Sequence, residues 1–308
     1  MQKIIPHLWF DKNAEEAVRF YASVFGDVEV GATTRYTEAG FETHNMPAGT
    51  VLTIEFSIGG YDFIALNGGP VFKLNPSISF FLNFDPSKDK DAAKKLDALW
   101  QKLSEGGKAL MPLDKYFFSE RYGWIQDRFG VSWQLTLTNP AGDERPFIVP
   151  SLLFTGEASG KAEEAMKHYV SVFEGSKVGQ VALYPEDTGV QKKGDLMFGD
   201  FMIEGQWFAA MDGGDVHGFG FNEAVSLLVA CEDQNEIDRF WEKLNGDPSE
   251  GQCGWLHDRF GVSWQIAAQG MAQMLNSADR AAADRVMNAM LQMKKIDMAA
   301  LKSAYQGR

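Results

Sequence analysis

The sequence predicts an α+β protein: two tandem copies of one mixed domain, each made of two βαβββ modules, followed by a helical tail. Three observations predict it. Blocks of sequence recur in the same order. Apolar residues switch between strand and helix spacing in a fixed βαβββ succession. A cluster of Pro, Gly and charge separates the two copies.

The repeat is the strongest of the three. Gly123–Gln134 (GWIQDRFGVSWQ) and Gly254–Gln265 (GWLHDRFGVSWQ) agree at ten of twelve positions. Ala14–Phe25 matches Ala162–Phe173, Phe56–Gly69 matches Phe201–Gly214, and Leu99–Leu103 matches Phe240–Leu244. A recurring local turn would explain one such block but not four in order. The offset falls from 148 (Ala162 against Ala14) to 131 (Gly254 against Gly123), so the second copy is 17 residues shorter inside. Most of the loss precedes the last block, so the first copy keeps a segment, Ser104–Tyr122, that the second has trimmed. The expected domains are residues 1–139 and 146–270, joined by NPAGDERP (Asn139–Pro146), with a tail over 271–308.

Each element has its own signal. Lys3–Phe10 is a short apolar run ending at Asp11–Asn13, a strand pattern. In Ala14–Phe25, Ala17, Phe20, Tyr21 and Val24 recur at helical spacing, and Gly26 supplies the stop. Val28–Tyr36, Thr50–Ile58 and Tyr61–Asn67 read as strands, the last two joined at Gly59-Gly60. The order then recurs. Ser77–Phe84 is a strand, and Asp89–Leu103 a helix with Ala93, Leu96, Leu99, Trp100 and Leu103 inward. Strands follow near Lys108–Leu110, Gly123–Gln126 and Ser132–Thr138, the last two flanking the turn Asp127–Gly130. The second copy opens with FIVPSLLF, the counterpart of IIPHLWF. In the tail, Val286, Met290 and Met293 share one helical face, which is expected to pack on a domain or a partner subunit.

Bulk chemistry excludes several classes. With 45% apolar and 23% charged residues, the chain has the composition of a globular protein with material for two cores. A net charge of −13 repels phosphate backbones and anionic membrane surfaces, so neither nucleic acid nor membrane is an expected partner. No run of about 18 apolar residues is present. Two cysteines, Cys231 and Cys253, form no framework, which suits a cytoplasmic protein. Neither has an evident His partner, and no GxSxG occurs.

The segments Pro6–Gly26 (PHLWFDKNAEEAVRFYASVFG), Met111–Leu135 (MPLDKYFFSERYGWIQDRFGVSWQL) and Cys253–Ile266 (CGWLHDRFGVSWQI) resemble the vicinal oxygen chelate superfamily. That superfamily includes glyoxalase I, bleomycin-resistance proteins and extradiol dioxygenases. Within it they are most similar to the PhnB-like branch, labelled 3-demethylubiquinone-9 3-methyltransferase-like. The tail segment Asn288–Leu301 (NAMLQMKKIDMAAL) resembles tails of that branch. The resemblance implies paired βαβββ modules in a cupped, eight-stranded mixed sheet, with a ligand cavity in its concavity. It does not imply one reaction.

Metal-dependent members of the superfamily carry His or Glu ligands at four strand positions. Carried over, these are His7, Ala65 or Leu66, Ser79 and Gln134 in the first copy. In the second they are Ser151, Ala210 or Met211, Ser226 and Gln265. One imidazole and one amide fall short of the three or four donors a divalent cation needs, so no metal and no cofactor is expected. The methyl transfer in the branch label is disfavoured too. The double glycines Gly59-Gly60, Gly68-Gly69, Gly106-Gly107 and Gly213-Gly214 sit in hairpins or loops, not at a strand-to-helix turn of a parallel sheet.

The expected function is therefore small-molecule binding, with a homodimer as an open alternative. In VSWQL, Ser132 and Gln134 share one face and Trp133 the other; by analogy the Gln face is concave and Trp133 packs under the helices. Asp127 and Asp258 are expected to cap turns, with Arg128 and Arg259 solvated or paired to them. The candidate pocket residues are His7, Trp9, Asn67, Ser79, Met111, Phe117, Trp124 and Gln134, with second-copy counterparts Ser151, Asp212, Ser226, Trp255 and Gln265. The first copy is expected to hold the working pocket, because it has His7 and because Met111, Tyr116, Phe117 and Phe118 offer an apolar lid. One alternative is a metal-assisted lyase, isomerase or dioxygenase centred on His7 and Gln134. Another is that the second copy acts as a built-in structural partner.

Overall fold

The computed structural model describes residues 2–139 and 141–308; Met1 and Pro140, the latter within the expected linker, lie outside the described residues. The first copy runs β1 (Ile4–Phe10), α1 (Ala14–Phe25), β2 (Val28–Arg35), α2 (Phe41–His44), β3 (Val51–Ile58), β4 (Tyr61–Asn67), β5 (Ile78–Phe84), α3 (Ala92–Ser104), β6 (Lys108–Tyr116), β7 (Ser119–Gln126) and β8 (Ser132–Leu137). The second runs β9 (Ile148–Thr155), α4 (Ala162–Val172), β10 (Lys177–Leu183), β11 (Leu196–Ile203), β12 (Gln206–Gly214), β13 (Val225–Cys231), α5 (Gln234–Leu244), β14 (Trp255–His257) and β15 (Ser263–Ala268). The tail holds α6 (Met271–Leu275), α7 (Arg280–Leu291) and α8 (Met298–Gln306). The βαβββ order is present in the first three modules, whereas the last, β13-α5-β14-β15, has only two strands after its helix. No helix among the described residues is long and apolar enough to cross a membrane.

The strands pair across the repeat rather than within each copy. One sheet has seven strands in the order β14-β15-β13-β1-β4-β3-β2, and the other eight in the order β10-β11-β12-β9-β5-β8-β7-β6. Each sheet thus joins one module from each copy. The joints are antiparallel pairs of first strands: β1 with β13, setting His7 opposite Ser226, and β5 with β9, setting Ser79 opposite Ser151. Without the joint, the first strand of each module would be an apolar edge with open backbone groups, and pairing two such edges removes both.

Two compact units result. One comprises Met1–Arg19, Glu29–Phe72 and Asn222–Arg308, and the other Phe20–Val28 and Lys73–Phe221. In the first, α5 lies on β13, β14 and β15. In the second, α3 lies on β5 to β8 and α4 on β9 to β12. Strand alternation gives each sheet a helix-covered face and a concave face. Ile4, Leu8 and Phe10 of β1 are buried with the helix side, and Ile5, His7 and Trp9 take the other side.

Two expectations need correction. Ala93 is exposed and Ala92 is buried in its place, because Ala92 is in phase with Leu96, Leu99 and Leu103 along α3 and Ala93 is one residue off that stripe. The segment read as a lid loop is a hairpin, β6–β7, in which Met111 faces Trp124 across the ladder. Its backbone groups are satisfied by pairing at the sheet edge, and Phe117 at its tip is 87% exposed. In the shortened second copy, the tail takes the place of that hairpin's outer strand. Cys253 N and Gly254 N donate to Met293 O and Lys294 O at 2.8 Å each. The tail's buried side chains include Val286, Ile296 and Leu301.

Candidate functional site

Each concave face carries a polar pair at its centre. In the seven-stranded cup, Gln265 Nε2 donates to Ser226 Oγ at 2.9 Å; in the eight-stranded cup, Gln134 Nε2 donates to Ser79 Oγ at 2.8 Å. Trp264 and Trp133, one residue earlier on each strand, point the other way and are fully buried. Their indoles donate to Asp258 and Asp127 at 2.9 Å. Each Asp also accepts two backbone N–H groups of its own turn, and Asp127 accepts the Tyr21 hydroxyl besides. Burial pushes the Asp127 carboxyl up against the pull of these donors. The two Asp residues hold the turns. Arg128 lies over the Phe20 ring, 4.3 Å from its centroid, and Arg259 over Phe260 at 4.9 Å.

His7 stands opposite Ser226 on the concave face of the seven-stranded sheet. It is 7% exposed, and neither ring nitrogen has a hydrogen-bond partner. Burial lowers its pKa to about 3, so the imidazole is neutral near pH 7. A neutral imidazole offers one donor and one acceptor. Leaving each buried and unmatched costs about 1–3 kcal/mol. The equivalent residue of the other cup is Ser151, whose Oγ is also without a partner.

The cups differ in how far their own side chains fill them. In the eight-stranded cup, Trp124 Nε1 donates to Ser132 Oγ at 2.7 Å, and the Tyr122 hydroxyl donates to Gln134 Oε1 at 2.6 Å. In the seven-stranded cup, Cys253 takes the place of Tyr122. Trp255 packs edge-on to Trp9, with ring centroids 6.4 Å apart, and Ser263 Oγ, the equivalent of Ser132 Oγ, is left without a partner. Replacing a tyrosine by a cysteine removes most of a ring's volume, and a pocket of about 680 Å³ opens there. Its apolar wall includes Trp9, Trp255, Phe72, Met46 and Leu291; Lys12, Glu223 and Gln252 add polar groups. Trp9 is fixed by donating from Nε1 to Gly69 O at 2.7 Å. Its ring lies on Gly68, where a Cβ would come within 2.2 Å of it. Beside the pocket, His257 Nε2 lies 3.3 Å from a Glu223 oxygen.

The sequence-predicted candidates therefore divide between the sheets. His7, Trp9, Ser226, Trp255 and Gln265 share the seven-stranded cup. Ser79, Trp124, Gln134 and Ser151 share the other, with Met111 and Phe117 on its edge hairpin. His7 and Gln134, paired in the sequence reading, are on different sheets. Asn67 and Asp212 do not face a cavity. Strand parity puts Asn67 on the helix side with Phe63 and Ala65. There its Oδ1 accepts from Ala14 N at 2.9 Å, and its Nδ2 donates to Glu15 and Val51. Asp212 likewise accepts from Gly160, Ala162 and Leu196 backbone N–H groups. Sequence reasoning missed Glu223, Cys253 and Leu291. The one usable signal was the alignment of Tyr122 with Cys253 inside the strongest repeat block.

A resident metal does not fit these residues. At the four positions that the resemblance singles out, the seven-stranded cup offers His7, Leu66, Ser226 and Gln265, and the other offers Ser151, Met211, Ser79 and Gln134. That is a single imidazole among hydroxyls, amides and apolar groups. Among the described residues no group of three or more His, Cys, Asp or Glu could hold a metal ion.

The family model described as 3-demethylubiquinone-9 3-methyltransferase matches residues 2–136 and again 146–267. Among solved structures, a PhnB protein from Bacillus cereus is 34% identical over 44% of this chain and 100% of its own, with a TM-score of 0.38. A protein from Staphylococcus aureus is 31% identical over 45% of this chain and 98% of its own, with a TM-score of 0.18. Glyoxalase I from Zea mays is 12% identical over 78% of this chain and 80% of its own, with a TM-score of 0.46. No curated protein matches the chain.

Proposed function

The chain belongs to the family described as 3-demethylubiquinone-9 3-methyltransferase, and on that premise we propose that it is a small-molecule-binding protein whose working site is the seven-stranded cup. The observation that carries this reading is His7: a neutral, buried imidazole with both nitrogens unmatched, on the same strand face as Trp9, which lines the open pocket. Its cost to the unliganded protein is offset when a bound molecule supplies one acceptor and one donor. Ser263 Oγ, also unmatched, adds a further hydrogen-bonding group on that sheet. The two tryptophans give the ligand an apolar, flat body to lie against. Methyl transfer forms no part of the proposal. Gly59-Gly60 makes the β3–β4 turn and Gly68 seats Trp9, so neither glycine pair forms a phosphate-cradling start of a helix.

The pocket thus draws Trp9 from the first copy and Trp255 from the second, and the sheet face that bears it also carries His7 of the first copy and Ser226 and Gln265 of the second. The test is a ligand screen by thermal shift on the full chain. Compounds that stabilise the protein should lose most of that effect in His7→Ala and in Trp9→Ala, and keep it in Ser151→Ala. Hits that respond to Ser151→Ala and ignore His7→Ala would move the site to the other cup and overturn the proposal.

A further inference from the structure

The duplication sets one row of residues across each concave face, and the two rows differ in charge. In the seven-stranded sheet, Ser226, His7, Ile64 and Glu55 are successive Cα partners on β13, β1, β4 and β3. In the eight-stranded sheet, the equivalent row is Ser79, Ser151, Ala209 and Asp200 on β5, β9, β12 and β11. Both rows end in a carboxylate beside a glycine of the next strand. A Cβ on Gly31 would lie 3.2 Å from Glu55 Cβ, and one on Gly179 would lie 2.0 Å from Asp200 Oδ1.

Asp200 is supplied with its own cation. Arg145, from the segment between the copies, donates from Nε to Asp200 Oδ2 at 2.7 Å, and its guanidinium lies 3.7 Å from the centroid of the Trp207 ring. Gln180 N donates to Oδ1 at 2.6 Å, and Lys177 Nζ lies 5.2 Å from the same ring. Covered in this way, Asp200 is 5% exposed. An Arg that stacks on an aromatic face while pairing with a carboxylate is the favoured arrangement for a weakly hydrated planar cation.

Glu55 has no such cover. It is half-buried and has no hydrogen-bond or ion-pair partner among the described residues. The repeat puts Asp62 where the other cup has Trp207 and Glu29 where it has Lys177, so the neighbours that are aromatic and cationic there are acidic here. The Asp62 carboxyl is raised by burial, against the pull of the N-terminal amine, and the Glu29 charge adds to the rise. Two strands along the same row, and on the same face, stands the buried, unmatched imidazole of His7. A buried imidazole without a partner is the reverse of what folding alone favours, and the half-buried Glu55 carboxylate on the same face carries no counter-charge among the described residues.

We infer that the seven-stranded cup takes a small molecule bearing a guanidinium, amidinium or ammonium group, which pairs with Glu55 as Arg145 pairs with Asp200. The inference rests on the proposed function and adds the charge of the ligand to it. The eight-stranded cup is then self-occupied, with Arg145 standing where a ligand's cation would lie. Opposite charge at a partly desolvated site raises both affinity and discrimination against anions.

Benzamidine, benzamide and benzoate share one flat body and differ in charge, so titration calorimetry of the three on the full chain, with NMR to locate them, is the test. Benzamidine should bind at least about tenfold more tightly than benzamide or benzoate, and Glu55→Gln should remove that advantage without changing benzamide binding. Arg145→Gln frees Asp200 and should raise benzamidine stoichiometry from one equivalent to two, a gain that an unfolded or damaged variant would not show. Equal binding of the three compounds in the cup, or benzamidine binding indifferent to Glu55→Gln, overturns the charge inference and leaves the cup as the site. Binding that never perturbs His7 or Trp9 signals overturns both readings, and so does no binding by any of the three at millimolar concentration.

Discussion

Replacing His7 by leucine should make the protein less sensitive to acid while removing its ligand binding. His7 is buried, and burial lowers its pKa from 6.5 to about 3. The unfolded chain therefore takes up a proton at this position while the folded chain does not. Its stabilising contribution is fully present above pH 6.5 and is lost as the pH falls from 6.5 toward 3. Each pH unit in that window is worth about 1.4 kcal/mol, so the loss is about 2 kcal/mol at pH 5 and about 5 kcal/mol once the pH is below 3. His7→Leu has no such term, and it also removes two unmatched polar atoms, worth about 1–3 kcal/mol each. Urea unfolding of both proteins at pH 8 and pH 5 measures the difference, because the carboxylates titrate alike in the two and cancel. The variant should be at least as stable as the parent at pH 8 and should gain about 2 kcal/mol on it by pH 5. A difference that stays constant between the two pH values, or a variant more than about 2 kcal/mol less stable at pH 8, would show that the His7 nitrogens are satisfied, and the argument for a ligand there would fall.

Other perturbations follow from the same geometry. Asp127→Ala strands the Trp133 indole N–H, the Tyr21 hydroxyl and two backbone donors, so it should cost at least about 3 kcal/mol in chemical denaturation. Gly68→Ala puts a Cβ within 2.2 Å of the Trp9 ring; it should break the Trp9–Gly69 bond, weaken ligand binding, and lower stability by about 1–3 kcal/mol. The fragments Met1–Asn139 and Arg145–Gly270 should each fail to give a cooperative transition alone, since each lacks the partner strands of β1–β13 and β5–β9, and should recover one when co-expressed. Truncation after Gly270 exposes Val286, Ile296 and Leu301 contacts and the Cys253 and Gly254 amides, so it should lower the melting temperature by several degrees.

What was legible in the sequence was local. Alternation along VSWQ puts Trp133 and Gln134 on opposite faces, and the Asp two residues before each Phe–Gly forms its turn through bonds that span at most four residues. The helical spacing of Ala17, Tyr21 and Val24 marks a face that is indeed buried. What was not legible was which module sits beside which. His7 and Ser226 are partners 219 positions apart (226 against 7), and nothing in either strand's own composition distinguishes pairing within a copy from pairing across copies. Asn67 shows a finer version of the limit. Its parity with Phe63 and Ala65 placed it on the core side, but the donor it satisfies, Ala14 N, lies on another element. Only the recurrence of a polar residue at the same buried place, Asp212, hinted at a remote helix cap. The hairpin β6–β7 was missed for a third reason. Its ladder shifts register three times, so period-two alternation fails along Lys108–Tyr116 even though the strands pair.

Cross-pairing changes what the two copies can do. Had each copy closed its own sheet, the loss of the hairpin from the second would have opened a pocket beside Ser151, with no imidazole in it. Because β1 pairs with β13, the trimmed strand of the second copy lies in the same cup as His7 of the first. The space at Cys253 and the unmatched imidazole of His7 therefore belong to one cup, although they come from different copies. The eight-stranded cup receives the complementary half of each difference: the full hairpin with Tyr122, a serine in place of the histidine, and Arg145 of the connecting segment on Asp200. A segment between tandem copies exists once, so it can fill one cup and not the other. Duplication followed by joining thus yields two unlike cups without requiring either copy to lose its fold. Exchanging Tyr122 and Cys253 in a double variant should then move the open space to the eight-stranded cup while leaving both sheets intact. Thermal-shift hits on such a variant should cease to depend on His7; continued dependence on His7 would mean that the pocket's space comes from elsewhere than this one pair of residues.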